Sequence, residues 1–316
     1  MDYRMKDTNN VNTKMYWLHA ITPAHVGTGA GAGFIDLPIM REKTTDWPLI
    51  PGSAIKGVRR DQFEQHAPIK DKNEILRLAF GQAENGEEPG SNSGAVVFTD
   101  ARLLCLPVAS YYGTFAWVTS PMALRRARRD ADLAGVGLGN LPEASCGAPP
   151  KEISLVPGVS GADRSVLLAA SGENRVYLTD LDLDTQPSDV AAKWATAIAE
   201  AVFPPGEWRK EFPKRFVVVP DNTFNYLSRT ACEVQARVRI DSETKTVAAG
   251  QLWYEEALPA ESILCGLVWC DRVFAKKSGA FTQRQLLDAI CGEPLSLQIG
   301  GKATVGRGRM RCLFTN

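Results

Sequence analysis

Nine residues near the end of the chain, Ser262–Cys270 (SILCGLVWC), carry no charge. A short apolar run of this kind fits a strand covered on both faces, which requires a sheet with further layers packed above and below it. The rest of the chain supplies those layers. Tyr16–Ile21, Ala95–Leu104, Gly113–Thr119 and Leu295–Ile299 read as strands, and Met310–Thr315 reads as a last short one. Pro51-Gly52-Ser53 announces a helix over roughly 54–65 with Ser53 as N-cap, and Lys56, Arg59 and Arg60 are expected to share one basic face of it. Pro121–Asp130 reads as a short, very basic helix. Ser188–Val202 carries an amphipathic apolar stripe, and Thr282 with Gln285 forms a capping box for a helix to Ile290. Cys232–Ile240 and Val247–Leu258 flank the polar turn Asp241–Lys245, so they predict a long hairpin, over about 232–258, that projects from the body. Strand, helix, strands, helix, strand is an α+β pattern of ferredoxin-like (RRM-like) type with insertions. One domain over 15–316 is expected, behind a flexible leader at 1–14 and with an irregular insertion at about 135–165.

Composition removes several function classes. Among 316 residues, 36 Lys and Arg balance 36 Asp and Glu, so no global charge draws the chain to nucleic acid or acidic lipid and any polyanion must be held locally. Seven cysteines without a CxxC pair and three histidines leave little material for a zinc site or a disulfide framework, and they point to a reduced, cytoplasmic compartment. No uninterrupted apolar run is long enough to span a bilayer, so no membrane partner is expected.

Two glycine motifs suggest phosphate chemistry. Gly27-Thr28-Gly29-Ala30-Gly31-Ala32 matches a dinucleotide fingerprint, but such a turn must open into a helix, and the extended stretch Phe34–Pro38 follows instead. Gly301-Lys302-Ala303-Thr304 lacks the glycine five positions earlier that a P-loop requires, since Ser296 stands there. What remains is a loop in which glycines let the backbone approach a ligand between Lys302, Arg307, Arg309 and Arg311. Amides and guanidinium groups in that mixture suit a run of phosphates, although a solvated turn carries the same residues.

The order of several motifs resembles a known family. Leu18–Gly29 (LHAITPAHVGTG), Ile35–Ile39 with Arg41–Lys43, Pro48–Gly57 (PLIPGSAIKG), Gly94–Leu104 (GAVVFTDARLL), Leu252–Glu256 (LWYEE) and the closing glycine loop are similar to RAMP proteins of CRISPR effector complexes. Among these they are most similar to the backbone subunits of type III-B Cmr complexes. The resemblance implies copies stacked in a filament along a CRISPR guide RNA, beside other Cmr-complex subunits. It further implies a hairpin acting as a thumb that interrupts the duplex with a single-stranded target RNA. It places RNA contacts at Gly27, Gly29, Arg41, Lys43, Ser53, Lys56, Arg59, Arg60, Gly300, Gly301, Lys302, Gly306, Arg307, Gly308 and Arg309. Contacts of that sort grip the phosphate backbone and leave sequence to base pairing.

The same resemblance makes Asp36 the expected catalytic residue of a metal-dependent endoribonuclease, a ligand for Mg2+ or Mn2+ that assists attack by a ribose 2′-hydroxyl. Taken alone, Asp36 reads more readily as an aspartate capping its own loop, since turn aspartates are ordinary. His25 in the same loop is a candidate proton shuttle or a plain hydrogen-bonding histidine, and Tyr254 and Glu255 are candidates to line the cleavage point. The arginines at 125, 126, 128 and 129 read as a solvated face or a contact surface. Trp17, Trp47 and Trp117 read as core aromatics or base-stacking platforms. Two alternatives stay open beside the nuclease: a non-cleaving backbone that only presents the guide, and a stand-alone enzyme for a small phosphorylated ligand.

Overall fold

The structure, a computed structural model, describes residues 12–29, 31, 33–66, 71–82, 92–158, 161–169, 172–241, 243–273 and 281–315. Strand β1 (Thr13–Ala20) runs through the centre, and Met15, Tyr16, Trp17 and Leu18 are all fully buried. The expected leader therefore ends earlier than residue 14, and residues 1–11 of it lie outside the described set. Lys14 is itself buried, with Nζ donating to Cys291 O (3.2 Å) and pairing with Asp288 Oδ1 (2.8 Å).

After β1 come β2 (Leu49–Ile50), α1 (Gly52–His66), α2 (Lys72–Phe80), the short pair β3 (Gly81–Gln82) and β4 (Asn92–Ser93), and β5 (Val96–Phe98). The middle of the chain holds β6 (Ala101–Ala109), β7 (Phe115–Thr119), α3 (Pro121–Ala134), β8 (Ser154–Pro157), β9 (Arg175–Leu178) and β10 (Leu181–Ser188). It continues through α4 (Asp189–Val202), α5 (Glu207–Lys214), β11 (Phe216–Val218) and α6 (Asp221–Thr230). The last part comprises β12 (Glu233–Ile240), β13 (Val247–Ala257), β14 (Ile263–Cys270), α7 (Gln283–Cys291), β15 (Leu295–Gln298) and β16 (Arg309–Thr315).

Twelve of these strands form one mixed sheet in the order β15-β16-β1-β14-β6-β7-β11-β8-β10-β9, with β2 on β6 and β5 on β14. This is an α+β fold. The apolar run at 262–270 is the expected central strand: β14 lies between β1 and the β5–β6 pair, antiparallel to each. The single strand expected over 95–104 is two strands with a break at Thr99-Asp100. The stretch at 135–165 holds more regular structure than expected, a 3-10 turn at Gly137–Asn140 and strand β8, which pairs parallel with β10. The capping box of α7 forms as read, with Gln285 N donating to Thr282 Oγ1 (3.2 Å) and Thr282 N to Gln285 Oε1 (2.8 Å). All seven cysteines are free and buried, and burial pushes the thiols of Cys265 and Cys312 up to about 12.

Trp17 and Trp117 are fully buried, and Trp47 is buried edge-on to Phe224. All three are core. Helix α3 is not a bare basic face either. Arg125 pairs with Glu143, Arg126 with Glu42, and Arg129 with Asp130, while Arg128 Nε donates to Gly139 O.

Helix α1 starts two residues earlier than its sequence signals, and the reason is steric and electrostatic. A Cβ on Gly52 would stand 2.2 Å from Phe98 O, so the helix end rests directly on the β5–β6 break. Asp100 at that break accepts the Gly52 amide (2.9 Å) and caps the helix from across the sheet, while Ser53 is exposed. Replacing Asp100 with Ala should cost about 1 kcal/mol of stability, whereas Ser53→Ala should change it by less than about 0.5 kcal/mol. Thermal melts of the two variants check this, and a larger loss for Ser53→Ala would return the cap to Ser53.

Candidate functional site

Backbone pairing draws the separated motifs into one place. Beyond β1 the chain runs extended, and Ala24 exchanges two hydrogen bonds of 2.8 Å with Leu258, just past the end of β13. The following residues bond on both edges: Gly301 N donates to His25 O (2.9 Å), Met40 N to Val26 O (2.8 Å) and Thr28 N to Pro38 O (3.2 Å). Residues 24–28 are thus the common neighbour of the hairpin root, of the 36–40 segment and of the C-terminal glycine loop. Glycine is needed where the last of these arrives. Gly300 has φ 88° and its Cβ would fall 2.3 Å from His25 O.

The 36–39 segment lies parallel to the end of β13. Asp36 Oδ2 accepts Tyr254 N (2.8 Å), Leu37 N donates to Tyr254 O (3.1 Å), and Glu256 N donates to Leu37 O (3.0 Å). Asp36 remains exposed. His25 is buried, with Nδ1 2.7 Å from Glu256 O. A carbonyl oxygen only accepts, so Nδ1 carries a proton, and in the neutral ring the lone pair is on Nε2. Residues 254 and 256 are two apart on one strand, so the two side chains are anchored along the same edge of it.

The other candidates divide by what they touch. Tyr254 is exposed on the hairpin. Glu255 is only 5% exposed, and its Oε1 accepts both Lys302 Nζ (2.8 Å) and Trp253 Nε1 (2.7 Å) while Arg237 Nε stands 3.5 Å from Oε2. Burial pushes its carboxyl up, but the bonds from Lys302 and Trp253 and the charges of Lys302 and Arg237 outweigh that and hold it below the usual carboxylate range. A carboxylate so occupied is a tie between loop and hairpin. Arg307 is buried and donates to Glu233 Oε2 (3.0 Å) and Gln235 Oε1 (2.7 Å). Arg41 is turned inward to Glu256, and Arg59 is buried with Nε on Ile290 O (2.8 Å) and its guanidinium over Phe63. The structure therefore gives Arg41, Arg59, Lys302 and Arg307 each a protein partner.

Other expected contacts stay open. Lys43, Arg60 and Arg309 are exposed, and none of them forms an ion pair among the described residues. Lys56 stands half-buried one turn from Arg60, and burial together with that neighbouring charge lowers its pKa. Arg59 points to the other side, so the basic face of α1 is Lys56 and Arg60 alone. Ser53, Gly27, Gly29, Gly300, Gly301 and Gly306 are exposed, while Gly308 is buried with its N donating to Pro23 O (2.8 Å).

No group of three or more His, Cys, Asp or Glu suited to a metal ion occurs among the described residues. At Asp36 the chain offers one carboxylate, with one oxygen already accepting an amide, and that donor set does not fit a metal site built by the protein alone. Sequence reasoning passed over Glu256, the hub of this region. Its signal was faint: two adjacent acids, Glu255-Glu256, directly ahead of the apolar Ala257-Leu258 at the buried end of a hairpin.

A family model described as the RAMP superfamily matches residues 17–311. The chain is 32% identical to the CRISPR system Cmr endoribonuclease Cmr4 of Pyrococcus furiosus over 92% of each sequence. It is 23% identical to the CRISPR system CMR subunit Cmr4 of Saccharolobus solfataricus over 96% of each. Among solved structures, oligomeric Cmr4 from Pyrococcus furiosus superposes with a TM-score of 0.67 at 24% identity, covering 96% of this chain and 98% of that one. A chain of the type III-B Cmr-beta complex bound to cognate target RNA gives a TM-score of 0.69 at 19% identity, covering 96% of both. Those superpositions speak for the fold. The superfamily match over nearly the whole length, with a relative a third identical across it, shows that this chain belongs to the RAMP superfamily and, within it, to the Cmr4 family.

Proposed function

We propose that this chain is the guide-RNA-binding backbone subunit of a type III-B Cmr complex and cleaves the paired target RNA at regular intervals. The observation that carries the reading is the convergence at residues 24–28: the 24–40 stretch, the end of β13 and the C-terminal glycine loop, far apart in sequence, bond to one another and bring Asp36, His25 and an exposed glycine backbone to the root of one hairpin. In this reading the antiparallel strands β16-β1-β14-β6, with α1 and α7 in the two crossovers, are the ferredoxin-like core. The β12–β13 pair, a separate two-stranded sheet, is the thumb. Copies of the chain stack along the guide, cytoplasmic and beside other Cmr-complex subunits. The RNA grip falls to Lys43, Lys56, Arg60, Arg309 and the amides of the exposed glycines.

For the chemistry, the exposed carboxylate of Asp36 accepts the proton of a target ribose 2′-hydroxyl as its oxygen attacks the adjacent phosphorus. The 5′-oxygen of the next nucleotide leaves and takes a proton from water, giving a 2′,3′-cyclic phosphate and a 5′-hydroxyl. The lone pair on His25 Nε2 accepts a hydrogen bond from a ribose hydroxyl and orients it. The expected Mg2+ or Mn2+ enters no step here, since the chain supplies a single carboxylate for it, and its place is decided by chelation.

In a reconstituted complex, Asp36→Ala should lower target cleavage by 100-fold or more while guide binding and assembly persist. Denaturing gels of labelled target, run with Mg2+, with Mn2+ and after chelation, check this. Intact target recovered from the wild-type complex under all three conditions would favour a subunit that only presents the guide.

A second set of variants tests the grip. Lys56→Ala or Arg60→Ala should reduce the slope of log affinity for RNA against log salt by about 0.7 each. Arg59→Ala should leave that slope unchanged and instead cost about 1–3 kcal/mol in a thermal melt, because it removes a buried donor. A slope change for Arg59→Ala would put its guanidinium on the RNA after all.

A further inference from the structure

We propose that Arg41 is a positioning residue for cleavage, acting through Glu256 to set the place of Asp36, and that it makes no contact with RNA. The inference rests on the cleavage reading of Asp36 and adds to it a residue whose role that reading leaves open.

Glu256 is bonded in four directions. Its amide donates to Leu37 O (3.0 Å), its carbonyl takes His25 Nδ1 (2.7 Å), its Oε2 accepts Ile39 N (3.0 Å), and its Oε1 meets Arg41 Nη2 (2.5 Å). Two of those bonds hold the backbone one and three residues after Asp36, and a third holds the histidine. The carboxylate is 4% exposed, and a charge buried to that degree needs a cation against it. Arg41, whose side chain is 16% exposed, is that cation.

The guanidinium is fixed in turn from elements outside the site. Nη1 donates to Asp46 O (2.7 Å) and to Ser228 O (3.1 Å), and Nη2 reaches Cys232 Sγ (3.5 Å). Asp46 sits in a left-handed turn (φ 61°) tied by its own amide to Glu42 O, Ser228 lies in α6, and Cys232 stands just before β12. The fork therefore clamps Glu256 against three rigid points. A lysine cannot repeat this, since a single ammonium has neither the planar fork nor the reach to span carbonyl and carboxylate together. Without the cation the buried carboxylate is left uncompensated and turns toward water, the bond to Ile39 N is lost, and residues 36–39 leave the edge of β13. A displacement of about 1 Å at a reacting group is enough for a 100-fold loss in rate.

Three variants of the full chain, each in the reconstituted ribonucleoprotein, test the assignment: Arg41→Gln, Arg41→Lys, and the double variant Arg41→Gln with Glu256→Gln. Amide hydrogen exchange over 37–40, single-turnover cleavage at saturating target, target KM and the salt slope of guide binding are measured together. Arg41→Gln should speed exchange over 37–40 by 10-fold or more and slow cleavage 10- to 100-fold, with KM and salt slope as in the wild type. Arg41→Lys should recover little of the rate. The double variant leaves no uncompensated charge and keeps an acceptor for Ile39 N, so it should restore exchange protection and part of the cleavage rate. A fall of about 0.7 in salt slope with cleavage unchanged would make Arg41 an RNA contact and overturn the proposal. Unchanged exchange over 37–40 in Arg41→Gln would also overturn it, whether or not the complex cleaves. A wild-type complex that leaves target intact defeats the cleavage reading by itself, and exchange still decides whether Arg41 sets the segment.

Discussion

Three carboxylates at the root of the β12–β13 hairpin, Glu233, Glu255 and Glu256, are each met by a cation from another part of the chain: Arg307, Lys302 and Arg41. The hairpin is a two-stranded sheet of its own, separate from the twelve-stranded one. Its direction is consequently set at the root, by these pairs and by the few backbone bonds to residues 36–39 and 24–28. Breaking the pair at Glu256, whose side chain is 4% exposed, leaves a charge with neither solvent nor another cation, so the cost falls on any other orientation of the hairpin. What the pairs supply is direction more than net stability.

The same pairs reapportion the cations. A chain with 36 basic and 36 acidic residues has no surplus for a polyanion, and four of the basic side chains nearest the expected path are held by protein partners. On the proposed function, the grip on RNA is then shared between a few open cations and the amides of glycines in the two loops. Amides donate to any phosphate without regard to base, and they bring no long flexible side chain to be immobilised. A subunit that accepts any guide is served by that division.

Local sequence signals read true where the partner is close in the chain. The capping box of Thr282 and Gln285 spans three residues and forms as read, and the hairpin ends fall within a residue of the alternation that marks them. The uncharged run of β14 identified a central strand because burial on both faces leaves its trace in composition. Signals failed where the partner is distant. Ser53 looks like a cap, but Asp100 does that work from 48 residues away. For Arg41 and Arg307 sequence shows the sign of the charge and not what faces it, and their carboxylates lie 215 and 74 residues off. The middle of the chain hides its strand order for a related reason: β8 pairs parallel with β10 and β11 parallel with β7, arrangements no local turn can announce.

Strand periodicity explains how one short motif serves both sides of the site. Along β13 the side chains of Trp253 and Glu255 point to one face, with Gln235 and Arg237 opposite them on β12, and that face receives Lys302 and Arg307. Tyr254 and Glu256 point to the other, where Arg41 and Ile39 arrive. Adjacent glutamates thus fasten two different loops because neighbours in a strand face opposite ways. Inserting or deleting one residue between Tyr254 and Leu258 would exchange the two faces, setting a carboxylate where a loop expects none and leaving both cations unmet. The register of these few residues is therefore constrained from both sides at once, more tightly than the outer hairpin, where Val238, Ile240, Val247 and Leu252 lie exposed.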